Sequence, residues 1–170
     1  PEYSIGEAVA VKAGNPLNLH SYKDIAANKD VRIAVPSGAV EYDYLIQSGV
    51  AKEQIISVPN IASALAALPA GRADAFTATG PALQAAIDSS GTKDIVRVGD
   101  FEQPVIDGKS VRGYGATAFR KADEDFVRAF NQELAEMKES GRLLEILQEF
   151  DFTEDELPGD VTAADLLGQS

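Results

Sequence analysis

The chain has 170 residues, a formal net charge of −12 from 27 acids against 15 bases, and no cysteine. The missing thiols exclude disulfides, thiolate metal sites and cysteine nucleophiles; the acidic surplus argues against nucleic acid and anionic membranes, whose phosphates are bound by clustered Lys and Arg. With 45% hydrophobic and 25% charged residues, the composition is that of a folded globular protein, long enough for one compact domain or two small lobes.

No apolar run approaches the roughly eighteen residues of a membrane span. The chain opens at Pro1 without the basic-then-apolar pattern of a secretory signal, so it reads as part of a longer precursor. Ile5, Ala8, Val9, Ala10 and Val11 predict a strand over 4–12, ended by the turn formers Ala13-Gly14-Asn15-Pro16. Ser21-x-x-Asp24 is a capping box for a short helix to Ala27. Strands and helices then alternate: strand 31–35, helix 39–48, strand 54–58, helix 61–69, strand 73–77, helix 80–89, strand 94–98. Such alternation predicts an α/β fold with a largely parallel sheet covered by helices on both faces.

After a turn-rich stretch over 99–112 comes a second alternating run, 113–119, and then a helix over 123–140 carrying Phe126, Phe130, Leu134 and Met137 on one face. Gly141 breaks it. The next helix presents Leu143, Leu144, Leu147 and Phe150 as a second stripe, and both stripes need a partner surface. Thr153-x-x-Glu156 is another capping box, and the stretch from Gln148 to Ser170 holds seven acids and no base, as expected of a solvated surface.

The segment VRIAVPSGAVEYDYL, Val31 to Leu45, reads as a buried strand, a Pro36-Ser37-Gly38 turn and a helix that begins at the glycine. A helix start at a strand end leaves unpaired N–H groups and the positive end of the helix dipole facing the crevice beyond the strands, a setting that suits an anion. The bland alternative is a βα turn that binds nothing. GRADAFTATGPALQ, Gly71 to Gln84, has the same strand-turn-helix form. Other motifs fail on context. Gly113-Tyr114-Gly115-Ala116-Thr117-Ala118 fits a dinucleotide pattern but enters a strand, Gly108-Lys109-Ser110 has Gln103 where a phosphate loop needs its first glycine, and the acids of DFTEDELPGD lack calcium-loop spacing. His20, the single histidine, excludes His-pair zinc sites and sits beside a helix start as a surface residue.

Together EYSIGEAVAVKAGNPL, LHSYKDIAAN, VRIAVPSGAVEYDY, VPNIASALAALPAGRADAFTATGPAL, GYGATAFRKADEDFVRAFNQELAEMKESGRLLEIL and FDFTEDELPG resemble the solute-binding proteins of polar amino-acid-type ABC importers. Within that family LHSYKDI, SGAVEYDY and the FTEDELPG tail resemble the ectoine/hydroxyectoine-binding proteins. The resemblance implies a type II periplasmic-binding-protein-like α/β lobe, its mixed, mostly parallel sheet flanked by helices, plus C-terminal helices belonging to the other lobe. Residues 1–12 would be the hinge crossover and the strand into the second lobe, 13–112 the second ligand-binding lobe, and 113–170 the return crossover and the C-terminal helices of the first lobe. The rest of the first lobe, where the family carries its aromatic ligand cage and the arginine for the ligand carboxylate, lies outside this chain.

By position the resemblance assigns ligand contacts to Ser37, Gly38, Ala39, Val40 and Glu41, with the N–H groups of Ala39 and Val40 facing ligand and Glu41 facing a cationic nitrogen. The plain alternative for Glu41 is a carboxylate complementing the helix dipole. Thr77 and Thr79 end their strand, and Thr79 stands where many amino-acid-binding relatives have an aspartate that balances the α-ammonium. A buried ammonium without a counter-charge is costly, so the threonine points to a cyclic, delocalised cation such as ectoine. Thr79 is equally a helix N-cap, and Asn60 is either a contact or a plain cap. No catalytic residue, metal or cofactor is expected. The expected partners are a small-molecule solute, an ABC permease in the membrane and, for this piece alone, a second copy joined through the C-terminal helices; the expected location is periplasmic or extracellular. Two rivals share the fold: a dehydratase-like enzyme with Glu41 as general acid or base, and the sensing ectodomain of a receptor.

Overall fold

The computed structural model describes residues 1–168. In chain order its elements are β1 (Tyr3–Ile5), β2 (Glu7–Lys12), α1 (Tyr22–Ala27), β3 (Ile33–Pro36), α2 (Glu41–Gln47), β4 (Ile55–Val58), α3 (Ile61–Ala67), β5 (Ala75–Thr79) and α4 (Gly80–Ser90). There follow β6 (Ile95–Arg97), β7 (Val105–Ile106), β8 (Lys109–Ser110), β9 (Gly113–Gly115), α5 (Glu124–Glu139), α6 (Arg142–Gln148) and α7 (Ala163–Leu167). Contacts divide the chain into two units, Gly6–Arg112 and Pro1–Ile5 with Gly113–Ser170. The strand expected over 4–12 is therefore two strands, β1 in one unit and β2 in the other.

In the Gly6–Arg112 unit five strands form one sheet in the order β4-β3-β5-β2-β6. The apolar run Ala8-Val9-Ala10-Val11 is buried on both faces, and the period-2 alternation of a strand sorts it cleanly. Ala8 and Ala10 join Phe76, Leu65 and Leu68, Leu83 and Ile87 under α3 and α4; Val9 and Val11 join Tyr22, Ile25, Val35 and Leu45 under α1 and α2. The result is a three-layer α/β/α stack. β3 pairs in parallel with both β4 and β5, whereas β2 runs antiparallel to β5 and to β6. Four strands thus point one way with β2 reversed among them, the mixed sheet that was expected, although its pairings divide evenly between parallel and antiparallel.

Three polar side chains tie this unit together. Ser21 caps α1 by accepting the Asp24 N–H at 3.1 Å, while Asp24 accepts in return from the His20 N–H and the Ser21 hydroxyl at 2.9 Å, completing the expected reciprocal cap. Gln54, 3% exposed, donates its amide to the carbonyls of Ile25, Asn28 and Val31 at 2.8, 2.9 and 3.0 Å, satisfying the end of α1 and the entry to β3.

In the other unit β1 and β9 form an antiparallel ribbon with Tyr3 opposite Gly115. A Cβ at Gly115 would fall 2.1 Å from the Tyr3 ring, so glycine lets that ring lie across the ribbon and meet Phe152 edge-on at 5.7 Å. Ser4, fully buried, donates to the Leu157 carbonyl at 3.0 Å. The Thr153 N–H and hydroxyl both donate to the Glu156 carboxylate at 2.7 Å, the capping box read from sequence. Gly141, at φ 78°, separates α5 from α6. Leu143 and Leu147 of α6 are buried, but Phe150 is 66% exposed, and α5 has no buried residue. Its half-buried face carries Val127 beside Phe130, Leu134 and Met137, while Phe126 leans out at 62% exposure with its ring against Phe119.

Candidate functional site

The carboxyl ends of β3 and β5 and the start of β2 lie side by side at one edge of the sheet. The parallel register that sets Ile33 opposite Ala75, continued four residues, brings Ser37 level with Thr79, and Thr79 is in turn the antiparallel partner of Glu7. Such a strand-end crevice is where open α/β sheets bind ligands.

The rim of this crevice is the Ser37-Gly38 turn. The Ser37 N–H donates to the Val58 carbonyl at 2.8 Å and the Ala39 N–H to the Pro36 carbonyl at 3.2 Å. Gly38 takes φ +80°, which glycine adopts without strain, and nothing lies within 4 Å of where its Cβ would stand. The turn therefore keeps its backbone open on the Gly38 side, but the Ala39 N–H expected to face ligand is committed within the turn. The helix begins at Glu41, three residues after the glycine, with Val40 as its exposed N-cap residue. Glu41 and Asp43 already place negative charge against its positive end. The anion expected from the sequence at this helix start would meet a short helix that already carries acids in its first turn.

Thr77 and Thr79 part company. Thr77 has no exposed surface; its hydroxyl donates to the Ala8 carbonyl at 2.8 Å and so accepts from the Tyr22 hydroxyl at 2.5 Å, which places it in the core and away from solvent. Thr79 is half-buried at the N-cap position of α4, but its side chain makes no cap bond and Pro81 occupies the first turn. Its hydroxyl therefore has no capping role. Asn60 is exposed, and its side-chain oxygen accepts the Ser63 N–H at 2.9 Å, the plain cap of α3.

The residue that sequence reasoning passed over is Glu7. It is 6% exposed, Glu41 is 5% exposed, and the two carboxyl groups are packed beside one another. Glu7 Oε2 meets no hydrogen-bond donor among the described residues. Burial first, then the charge of Glu41 and a hydrogen bond to it, push the Glu7 carboxyl up to about 8, so at neutral pH Glu7 holds a proton that it can donate to Glu41. Burial, and behind it the charge of Glu7, likewise raise Tyr22 well above the ordinary phenol range. The Glu7 backbone is clamped by Gln103, whose side-chain oxygen accepts the Glu7 N–H and whose amide donates to the Glu7 carbonyl, both at 2.8 Å. An acid at the head of an otherwise apolar strand was the available signal, because burial there demands a partner.

A hollow of about 490 Å3 lies on another surface, between α3 and α4, lined by Ala62, Leu65, Ala66, Pro69, Ala86 and Ile95 with three hydroxyl residues. Its walls carry no titratable group. Among the described residues no group of three or more His, Asp or Glu side chains is placed to hold a metal ion, and no helix is long and apolar enough to cross a membrane.

No protein-family model matches the chain. Over 148 residues, 86% of this chain and 48% of the relative, it is 37% identical to a probable amino-acid ABC transporter periplasmic-binding protein of Sinorhizobium fredii. The chain is a relative of periplasmic binding proteins. Among solved structures of such binding proteins, EhuB in complex with hydroxyectoine superposes with a TM-score of 0.59 at 33% identity, covering 89% of this chain and 56% of that one. The L-cystine solute receptor of Neisseria gonorrhoeae, in its unliganded open conformation, reaches a TM-score of 0.68 over 92% of this chain and 60% of that one, and at 19% identity it shows the shared fold alone. The chain thus spans about half the length of the binding proteins it matches.

Proposed function

We propose that the intact protein is the solute-binding component of an ABC importer, working in the periplasm or outside the cell, and that it captures a small zwitterionic compatible solute of the ectoine and hydroxyectoine kind between two lobes before passing it to a membrane permease. Binding makes and breaks no covalent bond, so catalysis is not part of the proposal. The ligand, by bridging both lobes, favours the closed state through its higher affinity for it.

The observation that carries this reading is the 33% identity to a protein solved with hydroxyectoine, extending over 89% of this chain. The crevice supports it: an open glycine turn at Gly38 and a neutral Thr79 at the end of β5. Ser37, Gly38, Val40, Glu41 and Thr79 are the contacts we assign from this chain, with Ala39 contributing through its side chain and Asn60 and Thr77 holding the frame.

Calorimetry on the full-length protein tests the reading. Hydroxyectoine or ectoine binds more tightly than glutamine or arginine, and Thr79→Asp moves the preference towards ligands with a primary ammonium. Gly38→Val weakens solute binding while leaving the unit folded, because a branched side chain at φ +80° is strained and projects into the crevice. Tighter binding of a standard amino acid would replace the ectoine assignment with an amino-acid one, and unchanged affinity in Gly38→Val would remove the turn from the site.

A further inference from the structure

We propose that Glu7 and Glu41 are the cation-recognising element of this crevice, and that the pair exchanges its one shared proton for the positively charged nitrogen of the incoming solute. The inference rests on the solute-binding reading above and adds to it the source of the counter-charge and a proton that leaves on binding.

Position comes first. Glu7 is the cross-strand partner of Thr79, and Glu41 opens α2 directly behind the Gly38 turn, so both residues stand next to the crevice whose rim is Ser37, Gly38 and Thr79. Both are more than nine-tenths buried, and Glu7 Oε2 has no donor among the described residues. Two ionised carboxylates cannot share such a site without a cation between them; in its absence a proton must serve. The surroundings offer little else. From α1 comes Tyr22, whose O–H is given to Thr77; from α2, Tyr44; from β5, the hydroxyls of Thr77 and Thr79. On the side of Gly6 lie Gln103, spent on the Glu7 backbone, and the guanidinium of Arg112, whose Nη2 would stand 2.9 Å from a Cβ at Gly6.

The exchange balances in charge. With one proton the pair carries −1. When a solute cation arrives, the Glu7 O–H bond breaks, the proton leaves to water, and a doubly ionised pair with one ligand cation again sums to −1. A buried pair therefore discriminates for solutes carrying a cationic nitrogen and against neutral or purely anionic ones. The upward displacement of Glu7 to about 8 agrees with a proton that is held at neutral pH and is released by a nearby positive charge.

The test uses the full-length protein and hydroxyectoine, with arginine and glutamine as further probes, titrated calorimetrically in buffers of different ionisation enthalpy. About one proton is released per solute bound near pH 7 and almost none near pH 9.5, and the Kd falls roughly tenfold per pH unit up to about pH 8 before levelling. Glu7→Gln abolishes the proton release and the pH dependence. Should that variant fail to fold, carboxyl-carbon NMR of the unsubstituted protein supplies the same answer, through one glutamate titrating near pH 8 that ionises at pH 7 when hydroxyectoine is added. Saturable binding with no proton release and a Kd flat with pH overturns the inference and leaves the solute-binding reading standing. Failure to bind any probe overturns both. A ligand-free spectrum with no carboxyl titrating above pH 6 overturns the shared proton on its own.

Discussion

Between Ala8 and Val11 every side chain of β2 is buried between two helical layers, whereas the sixteen-residue helix α5, richer in aromatic residues, has no buried residue at all. Both segments carry strong apolar periodicity. The first meets it with helices on each face of its own unit; the second is covered in its own unit only along the line of Val127, Phe130, Leu134 and Met137, and only partly. Periodicity reports that a face wants cover, and the fold of the same unit decides whether it receives it. A chain that spans about half of its relatives' length is where such a difference is expected to be largest.

The contrast can be broken by substitution. Phe76, fully buried in the β5 core, is expected on truncation to Ala to cost the protein about 3–5 kcal/mol in urea denaturation, since both the transfer free energy and a cavity are lost. If Phe76→Ala were as mild as a surface change, the three-layer core would not be the stabilising element of its unit.

A second difference concerns pH, and the two units have opposite signs. Glu7 has a folded-state value near 8, above its unfolded one, so its contribution is fully present below the ordinary carboxylate range and is lost as pH rises through about 8. For Glu2, burial works upward but is outweighed by the hydrogen bonds of Thr117, leaving the carboxyl below its ordinary value. Its contribution is present above the unfolded value and is lost on acidification. Hydrogen-exchange protection factors read each unit separately: β2 and β5 lose protection between about pH 5 and 8, and β1 and β9 lose it only at low pH. Glu7→Gln flattens the first profile and leaves the second unchanged; parallel profiles in both units would refute the assignment.

The smallest expected effect is the most diagnostic for α5. Phe126→Ser changes stability by less than about 0.5 kcal/mol, because the side chain is mostly in water, yet it reduces self-association of this chain in light scattering. A loss comparable to Phe76→Ala would mean that α5 is covered within its own unit after all.

Much of the Gly6–Arg112 unit was legible in the sequence, for reasons that differ by element. The alternation of apolar runs with capped helices gave β3, α3, β5 and α4 within a few residues, because burial on one stripe and local caps act over short range. Strand direction was not legible: an apolar run reads the same both ways, and the reversal of β2 comes from where the chain enters the sheet. The break at Gly6 was hidden too, being set by Gln103, a residue far along the chain. At the proposed site, Ser37, Gly38, Glu41 and Thr79 could be singled out from the sequence because a turn and two helix starts write themselves locally. Thr77 shares a strand face with Thr79, and only the position of Tyr22 shows that one is walled in and the other is not. Glu7 was missed because its significance lies in Glu41, on another element.

The Gln103 clamp has a consequence for the company this sheet keeps. β6 pairs with β2 only from Ala10 to Lys12, which would leave the opening residue of β2 with a bare N–H and C=O on that side. Gln103 answers both, its amide group standing where the peptide link of a continuing neighbour strand would stand. The sheet is thereby finished with a counterfeit peptide. A foreign strand looking for a template beside Glu7 finds the position taken, so this corner is closed to edge-to-edge aggregation by a side chain that occupies the hydrogen-bonding groups themselves.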